Sequence, residues 1–186
     1  MKQGFMFFFL THSFYSVYAQ FASPQVDQIF QVSEDYNYHT YLDTFEIQAR
    51  CFSKPKTYYF ADRFINDNQP LDQLQAGAWY QLRIIPLMRK KGATLEQCLS
   101  FLKVNGCLFL GTRGLGVVYN SISHTYFNPK KRFLLFSSNV VSKENQIPCI
   151  SRLLDGGWEF DMMSIHDTIS GSDWGGGYCL ICVTPL

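Results

Sequence analysis

Cys179 and Cys182 stand three residues apart, the spacing of a redox dithiol or of half a zinc site. Either chemistry needs both sulfurs on one side of the backbone. The flanking Tyr178, Leu180, Ile181 and Val183 read as a strand, where residues i and i+3 point to opposite faces with Cα atoms about 10 Å apart. A disulfide needs Cα atoms within roughly 7 Å, and two thiolates on one zinc need their sulfurs about 4 Å apart. No second C-x-x-C completes a ligand set, and none of His12, His39, His124 and His166 has a partner histidine at ligand spacing. The sequence therefore predicts no metal and no cofactor. Cys51, Cys98, Cys107, Cys149, Cys179 and Cys182 all lie in apolar-periodic segments, which reads as reduced thiols buried as small hydrophobes.

Residues 164–173 gather a nucleophile, a base and a carboxylate in Ser164, His166 and Asp167. These are the weak catalytic candidates, for a small hydrolase or transferase. No G-x-S-x-G turn accompanies them, and Ser, Asp and Gly between two strands also make an ordinary polar loop. The balance leans away from an enzyme. Gly111-Thr112-Arg113-Gly114-Leu115-Gly116 resembles a phosphate-cradling loop in composition, but such a loop must open a helix. Val117-Val118-Tyr119 follows instead, a strand signal, so a glycine-rich hairpin or bulge is expected.

Two basic triplets, Arg89-Lys90-Lys91 and Lys130-Lys131-Arg132, fall at strand ends. With Tyr119 and Tyr126 they would offer single-stranded nucleic acid a strip of cations and stacking rings; as solvated turns they would protect sheet edges. Trp174, between Gly171-Ser172-Asp173 and Gly175-Gly176-Gly177, is the best single candidate for a recognition anchor. The leading expectation is a non-catalytic binding protein that meets a protein partner through aromatic-rich loops. Nucleic-acid binding through the basic loops is the first alternative and a His166 hydrolase the second.

The elements that must position these residues read as follows. Ser23 and Pro24 open a predicted short helix at 24–32. The Tyr-rich stretch 34–43 reads as a loop. Strands are expected at 45–51, 57–64, 79–87, 107–112, 115–120, 132–138, 149–154, 158–165 and 178–184, with a hairpin turn at Asp155-Gly156-Gly157. The main helix is 94–104: Thr94 and Gln97 form a capping box, Leu95, Cys98, Leu99 and Leu102 share one face, and Asn105-Gly106 ends it. The fold class is α+β, a mostly antiparallel curved sheet of about seven to nine strands packed on that one helix.

Composition sets the frame. The chain has 186 residues, 47% hydrophobic and 17% charged, which excludes intrinsic disorder. Sixteen basic and fifteen acidic residues give a net charge of +1, so no global field draws it to nucleic acid or membrane. Lys2 and the run Phe5–Leu10 resemble the start of a secretory signal, but Thr11, His12 and Ser13 interrupt it, and the run is far short of the about 20 residues that span a bilayer. No Asn-x-Ser/Thr acceptor occurs. Residues 1–22 are read as an apolar docking or signal segment and 23–186 as one α+β domain. A cytoplasmic location is expected, with a secreted or periplasmic one as the alternative if residues 1–19 are cleaved.

Overall fold

A computed structural model describes residues 21–41, 58–60, 70–88, 93–121, 126–127, 131–136, 146–154, 156–164 and 177–186. The elements run β1 (Val26–Gln31), β2 (Tyr58–Phe60), β3 (Trp79–Pro86), α1 (Leu95–Val104), α2 (Gly111–Ser121), β4 (Arg132–Leu134), β5 (Gln146–Arg152), β6 (Trp158–Ser164) and β7 (Tyr178–Pro185). The fold is α+β. Six strands make a mixed, mostly antiparallel sheet in the order β1-β3-β7-β4-β5-β6, and the three-residue β2 extends it beyond β6. The β4–β7 and β2–β6 pairs are parallel; the other four pairs are antiparallel.

Side chains alternate between the two faces of a strand, and the core divides accordingly. On one face lie Tyr80, Leu82 and Ile84 of β3, Phe133 of β4, Ile150 of β5, Trp158, Phe160 and Met162 of β6, and Cys179, Ile181 and Val183 of β7, packed with Leu115, Val117, Val118 and Tyr119 of α2. On the other lie Ile85, Leu134, Cys149, Met163, Leu180 and Cys182, packed with Leu95, Cys98, Phe101 and Leu102 of α1. The sheet is thus sandwiched between two helices. Burial on both sides explains why residues 178–184 read as an unbroken apolar run.

The α1 helix matches its sequence signals. Thr94 Oγ1 accepts from the Gln97 N–H at 3.3 Å, and the Gln97 side chain accepts from the Thr94 N–H at 2.8 Å. At its other end Asn105 caps the helix and Gly106 adopts φ +64, the left-handed conformation glycine tolerates. The hairpin also holds: β5 and β6 pair in antiparallel register on either side of Gly156, which has φ +86.

Four expectations are corrected. Residues 26–31 form a strand rather than a helix: Val26, Phe30 and Val32 are buried with a period of two, and pairing with β3 overrides the Ser23-Pro24 start signal. Residues 107–110 are not a strand, and the glycine-rich segment opens α2 rather than a hairpin, so the sheet packs on two helices instead of one. The β-branched Val117-Val118 pair suggested a strand, yet Leu115, Val118 and Tyr119 at i, i+3, i+4 turn to the sheet. The glycines let the backbone come close: a Cβ on Gly114 would sit 2.1 Å from the Leu110 Cβ. Finally, the cysteines are not all reduced. Cys107, after α1, is joined to Cys182 of β7 with Cα atoms 5.2 Å apart, while Cys98, Cys149 and Cys179 are free and buried. The C-x-x-C pair is indeed unlinked, but spacing within one strand says nothing of a partner 75 residues away. The strand expected at 45–51 lies outside the described residues.

Candidate functional site

A cleft of about 460 Å³ opens between β1, the turns that follow it and the C-terminal end of α2. Its floor is apolar: Phe30 and Val32 from the inward row of β1, and Val117 from α2. Tyr36, Tyr41 and Trp79 form the walls, and Gln28, Gln31 and Asn120 add amides.

Local sequence builds these walls. The 33–41 segment is a chain of turns, in which Tyr36 N–H donates to Ser33 O at 3.1 Å, His39 N–H to Asn37 Oδ1 at 2.9 Å, and Tyr41 N–H to Asn37 O at 2.9 Å. Asn and Ser favour such turns because their side chains bond nearby backbone. The rings of Tyr36 and Tyr41 lie 5.1 Å apart, and Asn120 Nδ2 donates to the Tyr41 hydroxyl at 2.8 Å, which ties the turns to α2. Arg113 stacks over Tyr38 at 5.0 Å. Gln28 Nε2 reaches the Ser121 carbonyl at 3.4 Å. Trp79 enters strand β3 after the Gly77 turn, which has φ +72, and Gln31 Nε2 donates to Gly77 O at 2.9 Å. Trp79 is 52% exposed and Ile29, on the rim, 56%.

Burial sets the electrostatics of the two phenols in the cleft. Burial pushes the Tyr36 phenol well above its ordinary value, reinforced by Tyr38 and Tyr41 and opposed by Arg113. Burial also raises Tyr41, against the lowering effect of the Asn120 hydrogen bond. Both phenols stay protonated near neutral pH. No His, Cys, Asp, Glu, Lys or Arg lines the cleft among the described residues. Of its two serine hydroxyls, Ser121 Oγ donates to Val117 O at 2.7 Å, and Ser33 Oγ is bonded to Asp35. The lining suits contact with a neutral, partly apolar surface that offers hydrogen-bond groups.

Those of the residues singled out from sequence that are described lie outside the cleft lining. Lys131 immediately precedes β4 and Arg132 begins it; Ser164 ends β6. Arg89, Lys90, Lys91, Lys130, His166, Asp167 and Trp174 fall outside the described residues. Tyr119, expected as a stacking ring for nucleic acid, is a core residue: its ring meets Trp158 at 5.1 Å and Phe160 at 5.2 Å, edge-on. Among the described residues most aromatics are buried, several of them in a cluster that also holds Phe127 and Phe133. Sequence reasoning missed Tyr36, Tyr41 and Trp79 as a set. The available signal was a tyrosine-rich turn segment near a tryptophan at the start of a strand.

Comparisons with known protein families, with curated proteins and with solved structures find no match. Among the described residues no group of three or more His, Cys, Asp or Glu side chains is placed to hold a metal ion, and no helix is long and apolar enough to cross a membrane.

Proposed function

We propose that this chain is a non-catalytic binding protein whose β1 cleft takes an extended segment of a protein partner. One observation carries the reading: an aromatic and amide-lined cleft, with no group among the described residues able to take a proton at neutral pH, runs beside an edge strand. Among the described residues β1 has no strand on its outer side. Val32 N–H donates to Ala78 O at 3.0 Å. The alternation of an antiparallel ladder then turns the N–H and C=O groups of Asp27, Ile29 and Gln31 outward. A peptide strand added there would satisfy these groups, and alternate side chains would enter the cleft against Trp79, Tyr36 and Tyr41. Tryptophan and tyrosine supply large rigid contact area at low entropic cost, which suits them as anchors.

Selection of a random peptide library displayed on phage, carried out on the intact chain, tests the reading. Selected peptides should lose at least about tenfold in affinity on Trp79→Ala, the cost of an anchor, and should protect the β1 amides from hydrogen exchange. Peptides that bind equally well to Trp79→Ala and Tyr41→Phe/Asn120→Ala variants, or that leave β1 unprotected, would reject it.

A further inference from the structure

The outward row of β1 is centred on Ile29, with Asp27 two residues before it and Gln31 two after. These three alternate with the buried Val26 and Phe30, so their side chains share the face of the sheet opposite α2. Their N–H and C=O groups are also the ones that point away from β3. On β3 the register puts Arg83 beside Asp27, Gln81 beside Ile29 and Trp79 beside Gln31. The α1 helix packs further along this face, with Ile85, Leu180 and Cys182. Ile29 and Trp79 stay exposed.

The two margins of the sheet are built differently. At the far margin β2 is three residues long, and a short edge strand is one of the ordinary guards against unwanted pairing. β1 is six residues long and carries no proline, lysine or arginine. Its one charge, Asp27, accepts from Gln81 Nε2 at 2.8 Å on the same face. An apolar side chain in the middle of so lightly guarded an edge is a liability in a lone chain and a contact in an assembly.

We infer that the β1 edge takes the β1 strand of a second copy of this chain, paired antiparallel about a two-fold axis at Ile29. The inference rests on the edge-strand reading above and names its partner. A two-fold axis makes the interface isologous, and the outward row then fixes the register. Ile29 faces Ile29 of the second copy, while Asp27 faces Gln31 at two symmetric places. These three pairs exchange about six backbone hydrogen bonds. The isoleucines supply an apolar centre, and on the cleft side Gln28 of the second copy lies opposite Phe30.

Charge fits this register. Each Asp27 carboxylate meets a neutral amide. Gln81 engages its Oδ1, which leaves Oδ2 for the Gln31 amide; Gln31 Nε2 gives one hydrogen to Gly77 O at 2.9 Å and keeps the other. At each end the acidic Glu34-Asp35 turn after β1 runs toward Gln25 of the second copy, whose Oε1 accepts from Lys131 Nζ at 3.4 Å. An axis at Asp27 would set two carboxylates face to face, which like charges disfavour. An axis at Gln31 would put Ile29 opposite Ser33, beyond the end of the strand.

Sedimentation velocity of the intact chain from about 1 to 200 µM tests this. A reversible dimer is expected with a Kd of about 1–100 µM, since a small interface must offset lost rigid-body freedom. Ile29→Lys, at an exposed position where the urea midpoint should not move, opposes two ammonium groups at the axis and weakens the dimer about tenfold or more. Gln31→Lys has the opposite sign: its ammonium meets Asp27 of the second copy twice and tightens the dimer severalfold. Cross-linking reads the axis itself. Directly opposed, hydrogen-bonded residues have Cα atoms about 5.5 Å apart, within disulfide reach. Ile29→Cys should therefore give a covalent dimer in air on non-reducing gels, measured against the wild-type chain. Asp27→Cys should not, because its counterpart lies four residues along the partner strand, roughly 14 Å away. A chain monomeric at about 200 µM overturns the inference. So does a dimer indifferent to Ile29→Lys and Gln31→Lys, or one cross-linked as readily through Asp27→Cys. The edge-strand reading is judged separately. Phage-selected peptides that protect β1 in a monomeric chain uphold that reading and reject a second copy as the occupant, whereas peptides that dissociate the dimer support both.

Discussion

The two helices that flank the sheet are held by different means. α1 is specified locally. Its capping box, its apolar face and its Asn105-Gly106 stop are all contiguous in sequence, and Cys107 just beyond it is tied covalently to β7. α2 is specified by what surrounds it. It begins on Gly111 at φ +65, contains two further glycines in its first turns, and has no acidic residue in its first turn or basic residue in its last. Glycine costs a helix about 1 kcal/mol relative to alanine, so α2 forms because the sheet beneath it accepts Leu115, Val118 and Tyr119. A helix can therefore be written in its own residues or in those of its neighbours, and only the first kind is visible along the chain.

Perturbations should separate the two. The largest effect is expected at the covalent tie: Cys107→Ala/Cys182→Ala should lower stability by about 4 kcal/mol, from loop closure over a 75-residue separation, read as a shift in urea midpoint. Tyr119→Ala comes next. It removes the ring that meets Trp158, Phe160 and Phe127 and should cost about 3–4 kcal/mol, with loss of near-ultraviolet circular dichroism. Gly114→Ala sharpens the contrast most. Local propensity alone would make it stabilising by about 1 kcal/mol, but its Cβ would collide with Leu110, so a net loss of about 2 kcal/mol is expected. A gain in stability there would show that α2 obeys the same rules as α1. Thr94→Ala should cost α1 only about 1 kcal/mol, the price of a lost cap.

Alkaline pH probes both faces at once and should have the smallest effect under ordinary conditions. Burial raises the thiol of Cys98, on the buried side of α1, from 9.0 to about 12. Burial raises that of Cys179, on the α2 side, from 9.0 to about 11, with Lys131 opposing. The folded state holds these protons more tightly than the unfolded chain. Their contribution is therefore intact below pH 9 and is lost as pH rises through about 11 to 12. Urea midpoints at pH 7 and 8.5 should coincide, and alkylating agents should leave both thiols unmodified in the native protein.

The same distinction accounts for how much could be read in advance. β3, α1, the β5–β6 hairpin and β7 carry their signals in sequence: alternation, a cap, turn glycines, an apolar run of strand length. β1 and α2 do not. Val26, Ile29 and Phe30 satisfy a helical spacing, while Val26, Phe30 and Val32 satisfy a strand, and only the partner β3 decides between them. The Cys107–Cys182 bond depends on a meeting of distant segments that no spacing rule reports. The β1 cleft was hidden for the same reason. Tyr36, Trp79 and Asn120 come from three separate stretches, and aromatics counted along the chain do not reveal which are core and which are wall. Ile29 is visible as an apolar residue, but its outward row with Asp27 and Gln31 required strand register.

The place of β7 has a consequence for biosynthesis. It follows every other described strand, yet lies between β3 and β4. Until it emerges from the ribosome, the nascent chain can assemble only two half-sheets, each with a raw inner margin. The about 50 residues from the end of β4 to the end of β7 take several seconds to synthesise at roughly 5–20 residues per second. Through that interval the margins of β3 and β4 are open to mispairing with other nascent chains, so a holding chaperone should improve the yield of folded protein more than faster translation would.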